Sequence, residues 1–287
     1  MEPIRVSRRE LIMGASALLA AAASAATQAA PGEGIGTMRL GRLRVSRLLL
    51  GSNPFFGFSH TSPALDEAMR TYFNDERITA LLDEAAGAGI TAVVAPVYPR
   101  WMDLWKRYRD QGGRLRTWIA QPDVAPDAMV DCISQAVKAG AQAVWVQGHR
   151  VENTFAEPNG LDTIRRWVEH IKSLGVPAGL ASHQPHVLPA IQKAGLPVDF
   201  YSQSLYVPDQ YTPQERLRAL ETIRSLRKPV IAYKVLAAGR MKPEVSFPDL
   251  FRHLQRKDGV CVGIFPRDHP GMLAEDVRLA SQAIAHL

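Results

Sequence analysis

Eight short apolar segments, rich in β-branched and aromatic residues, alternate with longer segments of helical periodicity along most of this chain. This alternation is typical of parallel β-strands joined by crossover helices. The predicted strands are "RLLLGSN" (47–53), "TAVVAPV" (91–97), "RTWIAQ" (116–121), "AVWVQGH" (143–149), "PAGLASH" (177–183), "DFYSQSLY" (199–206), "PVIAYKV" (229–235) and "VCVGIFP" (260–266).

Between these strands lie segments of helical period, several of which end in the glycine expected just beyond a helix C-terminus. Examples are "ERITALLDEAAGAG" (76–89), "PDAMVDCISQAVKAG" (126–140), "GLDTIRRWVEHIKSLG" (160–175) and "TPQERLRALETIRSLR" (212–227). Eight strands with crossovers in about 250 residues predict an α/β fold, a single (β/α)8 barrel over 38–287. A doubly wound open sheet is the alternative, but no glycine-rich phosphate turn follows the first strand. "GEGIG" precedes that strand, and residues 31–37 are interpreted as a linker.

The N-terminal segment "VSRRELIMGASALLAAAASAATQAAPG" places two adjacent arginines before a weakly apolar run that ends in small residues. It resembles a twin-arginine export signal, and Ser7, Arg8, Arg9 and Leu11 carry the match. Cleavage after Ala25 or Ala29 would remove a signal over 1–30. A membrane anchor is the alternative, but an alanine-rich segment gains little free energy on transfer into the hydrocarbon core of a bilayer. We therefore expect the twin-arginine translocation machinery as a partner, with no stable membrane anchor after cleavage and a periplasmic or extracellular location.

Charge and cysteine content exclude other classes of protein. The net charge of +6 is spread along the chain apart from "WKRYRDQGGRLR" (105–116), whose helical spacing indicates a solvated helix face. The chain has no recognition helix and no zinc-finger spacing, so nucleic acid is not an expected partner. The two cysteines, Cys132 and Cys261, are expected to be buried thiols rather than a disulfide.

Barrel enzymes carry their chemistry at the C-terminal ends of the strands, so polar residues there are candidates for a small-molecule site. These residues are Asn53, Tyr98, Gln121, Gln147, His149, Ser182, His183, Gln203, Tyr206, Tyr233, Lys234 and Arg267, with Asp123 and Glu152 in the loops just beyond. The first loop, "NPFFGFSH" (53–60), adds Phe56 and His60. We assign substrate contact to Asn53, Phe56, His60, Gln147, Tyr206 and Lys234.

Several segments together resemble the aldo-keto reductases, in the right order and over nearly all of 38–287. The similar segments are "MRLGRLRVSRLLLGSNPF" (38–55), "AGLASH" (178–183), "FYSQSLY" (200–206) and "VIAYKVLAAGR" (230–240). The resemblance implies a barrel whose opening hairpin closes the floor and an NADP(H) cofactor. It implies that Ser182 and Gln203 bind the nicotinamide and that Tyr233 stacks on it. Arg267 is a further cofactor candidate.

The resemblance also implies a catalytic tetrad of Asp, Tyr, Lys and His. Tyr98 and His149 fill two places, whereas Val93 and Gln121 stand where the aspartate and lysine are expected. A phenol of pKa about 10 without a neighbouring cation is about three pH units too weak an acid, and each unit is about 1.4 kcal/mol. Lys234 or Arg267 is a substitute source of positive charge.

Three functions remain open on the sequence. The first is an exported NADP-dependent oxidoreductase acting on a small carbonyl or sugar, with Tyr98 as proton donor. The second is a non-redox lyase, isomerase or hydrolase of carbohydrates, with His149 and His183 as proton-transfer groups or as ligands of a divalent metal completed by Asp123 or Glu152. The third is a solute-binding barrel without catalysis.

Overall fold

Residues 34–208 and 210–285 are described by a computed structural model, and the predicted signal segment 1–30 lies outside them. Eight parallel strands form a closed barrel in which the last strand pairs with the first. The ten described strands are β1 (Thr37–Leu40), β2 (Leu43–Ser46), β3 (Leu48–Gly51), β4 (Ala92–Pro96), β5 (Thr117–Gln121), β6 (Ala143–Val146), β7 (Ala178–Ser182), β8 (Phe200–Ser204), β9 (Val230–Tyr233) and β10 (Gly259–Gly263). The predicted (β/α)8 barrel is confirmed, and the open-sheet alternative is wrong.

The helices alternate with β3–β10 and cover the outside of the barrel. Those in the described residues are α1 (Pro63–Tyr72), α2 (Asp75–Gly87), α3 (Pro99–Asp110), α4 (Met129–Lys138), α5 (Gly148–Phe155), α6 (Gly160–Ser173), α7 (Val187–Lys193), α8 (Pro213–Ser225), α9 (Pro243–His253) and α10 (Met272–Ala285). Short 3-10 helices span Asn53–Phe56 and Ala237–Gly239. Side-chain caps mark several starts: Ser62, Asn74 and Thr212 each accept a hydrogen bond from a backbone N–H of the first turn.

The hairpin of β1 and β2 closes the N-terminal end of the barrel. Met38, Leu40 and Val45 are buried and pack with the inward-facing side chains of the barrel strands. Gly259 makes this close approach possible, because a Cβ there would lie 2.6 Å from the Arg47 carbonyl oxygen and 2.8 Å from Met38 Sδ. The hairpin expected from the sequence is therefore present.

The segment interpreted as a linker (31–37) is described from Gly34 onward, and this part is packed against the barrel. Ile35 is completely buried in the main hydrophobic core, and Thr37 begins β1. The basic segment 105–116 is helical as far as Asp110, with Trp105 and Tyr108 buried.

Both cysteines are free and buried, as expected. Within residues 34–208 and 210–285, no helix combines the length and the apolar character needed to cross a membrane.

Candidate active site

A cavity of about 550 Å³ opens at the C-terminal end of the barrel strands. Its walls are mostly apolar, and several of them come from the first loop and from the loops after β9 and β10. The polar side chains that line it are those of Ser52, Asn53, Ser59, His60, Thr61, Tyr98, Gln121, Asp123, Gln147, His183, Tyr233 and Lys234. A concave, mostly apolar site with a few convergent polar groups is the usual form of a small-molecule site.

The cavity brings together eight of the residues predicted from strand ends: Asn53, His60, Tyr98, Gln121, Gln147, His183, Tyr233 and Lys234. It does not bring Phe56, His149, Ser182, Gln203, Tyr206 or Arg267 to its surface. Phe56 supports the wall from behind, with its ring edge-on to Tyr98 at 5.3 Å. Tyr206 is buried and its hydroxyl contacts Met241 Sδ, whereas Arg267 is exposed and pairs with Asp268.

Glu152 holds the end of β7 in place from the neighbouring helix α5. Its Oε1 accepts hydrogen bonds from Ser182 Oγ at 2.9 Å, from the backbone N–H of His183 and, more weakly, from the backbone N–H of Gln184. The same oxygen lies 3.2 Å from His183 Nδ1. With Nδ1–H donated to Glu152, Nε2 of His183 is the acceptor nitrogen of the ring.

The Glu152 carboxylate is ionised throughout the neutral range. Burial works to raise the pKa of Glu152, but the hydrogen bonds from His183 and Ser182, together with the positive charge that His183 carries once it is protonated, outweigh it and lower the pKa to about 2. A buried histidine fixed by an ionised carboxylate is the arrangement that orients a general base. The sequence placed Glu152 in a loop and gave no sign of this role.

His183 lies against Tyr233, which in turn packs on Trp145 at the base of the cavity. The rings of His183 and Tyr233 are edge-on with centroids 5.5 Å apart, and those of Tyr233 and Trp145 are 5.9 Å apart. Gly148 closes this cluster, since a Cβ there would lie 2.9 Å from His183 Nδ1 and 3.0 Å from Tyr233 Oη. Burial and then the charge of Glu152 raise the pKa of Tyr233 well above its usual value, against an opposing effect of the Ser204 hydroxyl.

A second carboxylate and histidine pair lies beside the first. Asp123 Oδ1 is 3.1 Å from His149 Nε2 and 2.7 Å from Arg150 Nε, and Asp123 itself lines the cavity. Burial lowers the pKa of His149, with Asp123 opposing the shift. Burial and then the negative charge of Asp123 raise the pKa of Tyr98. Tyr98 therefore stays protonated at neutral pH, and neither of the two causes of this shift is a positive charge that would favour the phenolate.

Two cavity residues adopt left-handed backbone conformations that favour glycine. His60 has φ of 55° and Lys234 has φ of 57°. In a regular strand Tyr233 and Lys234 would point to opposite faces, whereas here both residues line the cavity, and Lys234 has the left-handed φ. Such strain costs about 1–2 kcal/mol per residue and concentrates at functional sites.

The residues that the resemblance assigns to the nicotinamide do not form a matching set here. Tyr233 lines the cavity, but Ser182 and Gln203 are completely buried, and neither lines it. The Ser182 hydroxyl donates to Glu152, and Gln203 Nε2 donates to the Ser204 carbonyl. Both polar groups are therefore engaged in hydrogen bonds within the protein.

The residues around the cavity do not fit a divalent metal ion either. Nowhere in residues 34–208 and 210–285 do three or more His, Cys, Asp or Glu side chains group closely enough to bind one ion. His149 and His183 each face a carboxylate of their own, Asp123 and Glu152.

No protein-family model matches this chain, and no curated protein sequence matches it. Solved structures do resemble it. A protein of Pseudomonas aeruginosa described as a "putative aldo-keto reductase" has 18% identity and a TM-score of 0.62, covering 91% of this chain and 99% of its own. A truncated 3-deoxy-D-arabino-heptulosonate 7-phosphate synthase of Thermotoga maritima has 12% identity and a TM-score of 0.53, covering 87% and 89%. At these identities the likeness shows a shared (β/α)8 barrel fold and no specific activity.

Proposed function

We propose that this protein is a non-redox enzyme that moves a proton on a small hydroxylated carbonyl compound, such as a sugar. The observation that carries the proposal is the Glu152–His183 pair at the wall of the cavity. A carboxylate that fixes one ring nitrogen leaves the other to take and return a proton. The reaction class is that of an isomerase or lyase acting next to a carbonyl group.

The cavity suits a compound of this kind in size and in wall chemistry. Its volume of about 550 Å³ lies in the range of small-molecule sites, and Phe58 and Phe265 offer flat apolar surfaces to a sugar ring. Asn53 Nδ2 and His60 Nε2, which are 3.3 Å apart, add polar groups for substrate hydroxyls. Tyr98 and Asp123 supply a second proton-transfer position on the same cavity.

Solvent-hydrogen exchange tests this proposal directly. We expect the protein in D2O to exchange the C–H proton next to the carbonyl of at least one member of a panel of dihydroxyacetone, erythrulose and fructose, seen as loss of the corresponding proton signal by NMR. The reaction needs neither nicotinamide nor added metal, so a sample treated with chelator should be equally active. Absence of exchange across a broad panel of aldoses, ketoses and keto acids would overturn the proposal.

Hydride transfer with NADP(H) is the second candidate, and one observation favours it: Tyr98 and Tyr233 both line the cavity. The positions of Ser182 and Gln203 speak against it. Titration of NADPH followed by its fluorescence separates the two functions. Saturable binding at micromolar concentration, with carbonyl-dependent oxidation, would favour the reductase.

We further propose that the chain is exported in folded form through the twin-arginine pathway, on the pattern of Ser7, Arg8, Arg9 and Leu11, which lies outside the described residues. Replacing Arg8 and Arg9 together by lysine keeps the charge and removes the paired arginines. We expect the full-length precursor to accumulate in the cytoplasm, as seen by fractionation and immunoblotting. An unchanged periplasmic or extracellular level in this variant would contradict the export route. Replacing Arg5 by lysine is the matched control and should leave export unchanged.

A further inference from the structure

Two side chains at the base of the cavity carry buried hydrogen-bond donors. Nε1 of Trp145 and Oη of Tyr233 are buried, and neither has a hydrogen-bond partner of normal geometry among the described residues. Trp145 is only 2% exposed, and both residues line the cavity. Buried donors are almost always paired, because an unpaired one costs free energy.

These donors lie beside the base of the proposed reaction. The Tyr233 ring contacts both Trp145 and His183, and Tyr233 Oη and His183 Nδ1 both lie against Gly148. A second indole without a hydrogen-bond partner among the described residues, that of Trp101, lies in the helix-facing core and does not line the cavity. Trp145 and Tyr233 therefore differ from Trp101 in two ways: they line the cavity, and they belong to the ring cluster that includes His183.

We propose that Trp145 and Tyr233 form an oxygen-binding subsite that takes the carbonyl oxygen of the substrate and stabilises it as an enediolate. This inference rests on the proposed function, because it needs the proton-abstraction step. The substrate is then a compound with a carbonyl carbon next to a C–H carbon. The two donors would stabilise the negative charge that develops on the carbonyl oxygen while His183 removes the proton.

The step balances within the substrate and His183. Nε2 of His183 takes the proton from the carbon next to the carbonyl, and the electron pair of that C–H bond forms a C=C bond. The π electrons of the C=O bond move to oxygen, where Trp145 N–H and Tyr233 O–H are positioned to donate. Return of the proton from His183 to the same carbon restores the substrate. Its return to the other carbon of the enediolate gives the isomeric carbonyl compound, provided that the hydroxyl proton of the first carbon passes to the former carbonyl oxygen. Donors that meet an oxygen only as charge develops on it accelerate this type of step most.

Tyr233→Phe and Trp145→Phe remove one donor each and keep a ring in place. We expect each to lower kcat for dihydroxyacetone exchange by about 10–100-fold with a smaller change in KM. We also expect each to weaken binding of acetohydroxamate, a planar mimic of an enediolate, by at least about tenfold in calorimetry. Trp101→Phe is the matched control for Trp145→Phe and should change neither quantity.

A stability measurement separates a ligand subsite from a structural role. Tyr108 donates its hydroxyl to Asp83 at 2.6 Å, so Tyr108→Phe should lower the unfolding midpoint, whereas Tyr233→Phe should leave it unchanged or raise it. A drop in the midpoint of Tyr233→Phe as large as that of Tyr108→Phe would overturn the subsite by showing that the hydroxyl already has a partner.

The subsite and the proposed function can fail separately. Exchange by the wild-type protein that both phenylalanine variants retain would overturn the subsite and leave the proposed function intact. Acetohydroxamate binding that both variants lose, in a protein without exchange activity, would support the subsite and overturn the proposed function. Absence of both exchange and acetohydroxamate binding in the wild-type protein would overturn both.

Discussion

Replacing Glu152 by glutamine is expected to lower kcat/KM of proton exchange by about 10²–10⁴-fold, the usual contribution of a positioned general base. The amide keeps nearly the shape of the carboxylate but loses its charge, so the imidazolium that forms when His183 takes a proton has no counter-charge. The amide oxygen can still accept from Ser182 and His183 in the place of Oε1, but a neutral acceptor binds these donors more weakly than a carboxylate does. The His183 ring would then be held less firmly in one orientation.

The same substitution is expected to destabilise the fold by about 2–3 kcal/mol at pH 7, because a carboxyl whose pKa falls from 4.5 to about 2 on folding favours the folded state. This contribution is fully present above pH 4.5 and is lost as the pH falls towards 2. Urea unfolding at pH 7 and at pH 3 measures it, and the variant should lose less stability between these values than the wild type.

Glu157→Gln is the matched control, since Glu157 lies five residues beyond Glu152, just after the end of α5, and is exposed. It should leave both exchange and stability near wild-type values. If Glu152→Gln retained more than about half of the exchange rate, His183 would need no fixed carboxylate and its assignment as the base would be wrong.

The fold could be predicted because each barrel strand is a local pattern. A fully buried parallel strand is a short apolar run, and residues 91–97 and 116–121 show that run without help from the rest of the chain. The ends of the strands were predicted less well. Residues 147–149 were assigned to a strand, but α5 begins at Gly148 because the Gln147 side chain folds back to accept from the His149 N–H at 2.8 Å.

The candidate site was predicted in part, because the end of a strand is a local signal whereas a contact between distant residues is not. Position at a strand end was enough to bring Tyr98, His183 and Tyr233 to one cavity. It could not indicate that Ser182 turns to Glu152, because that contact joins residues 30 positions apart, and Glu152 lies on a short helix in a segment that was assigned to a loop.

Lys234 shows a further limit, since strand alternation alone would turn it toward the helices. Its left-handed φ of 57° reverses that direction. Tertiary packing imposes a left-handed backbone conformation of this kind, and a lysine in the sequence does not indicate it, as a glycine would.

The second large expected effect concerns Asp276, which lies in α10 and does not line the cavity. Its carboxyl is 2% exposed, and Oδ1 has no hydrogen-bond partner among the described residues. Burial, followed by the charges of Glu275 and Glu244, raises the pKa of Asp276 to about 7. The folded protein therefore holds a proton on Asp276 that the unfolded chain releases near pH 3.8.

Because the folded-state pKa is the higher one, stability falls as the pH rises from about 4 to 7, by about 4 kcal/mol for this group alone. Asp276→Asn removes the titration, so we expect it to match the wild type near pH 4 and to be more stable by about 2–4 kcal/mol at pH 8.5. Urea unfolding at pH 4, 6 and 8.5 provides the measurement, with the exposed Glu169→Gln as control. Parallel stability profiles for wild type and Asp276→Asn would show that Asp276 is ionised in the folded protein and that its packing against α9 admits water.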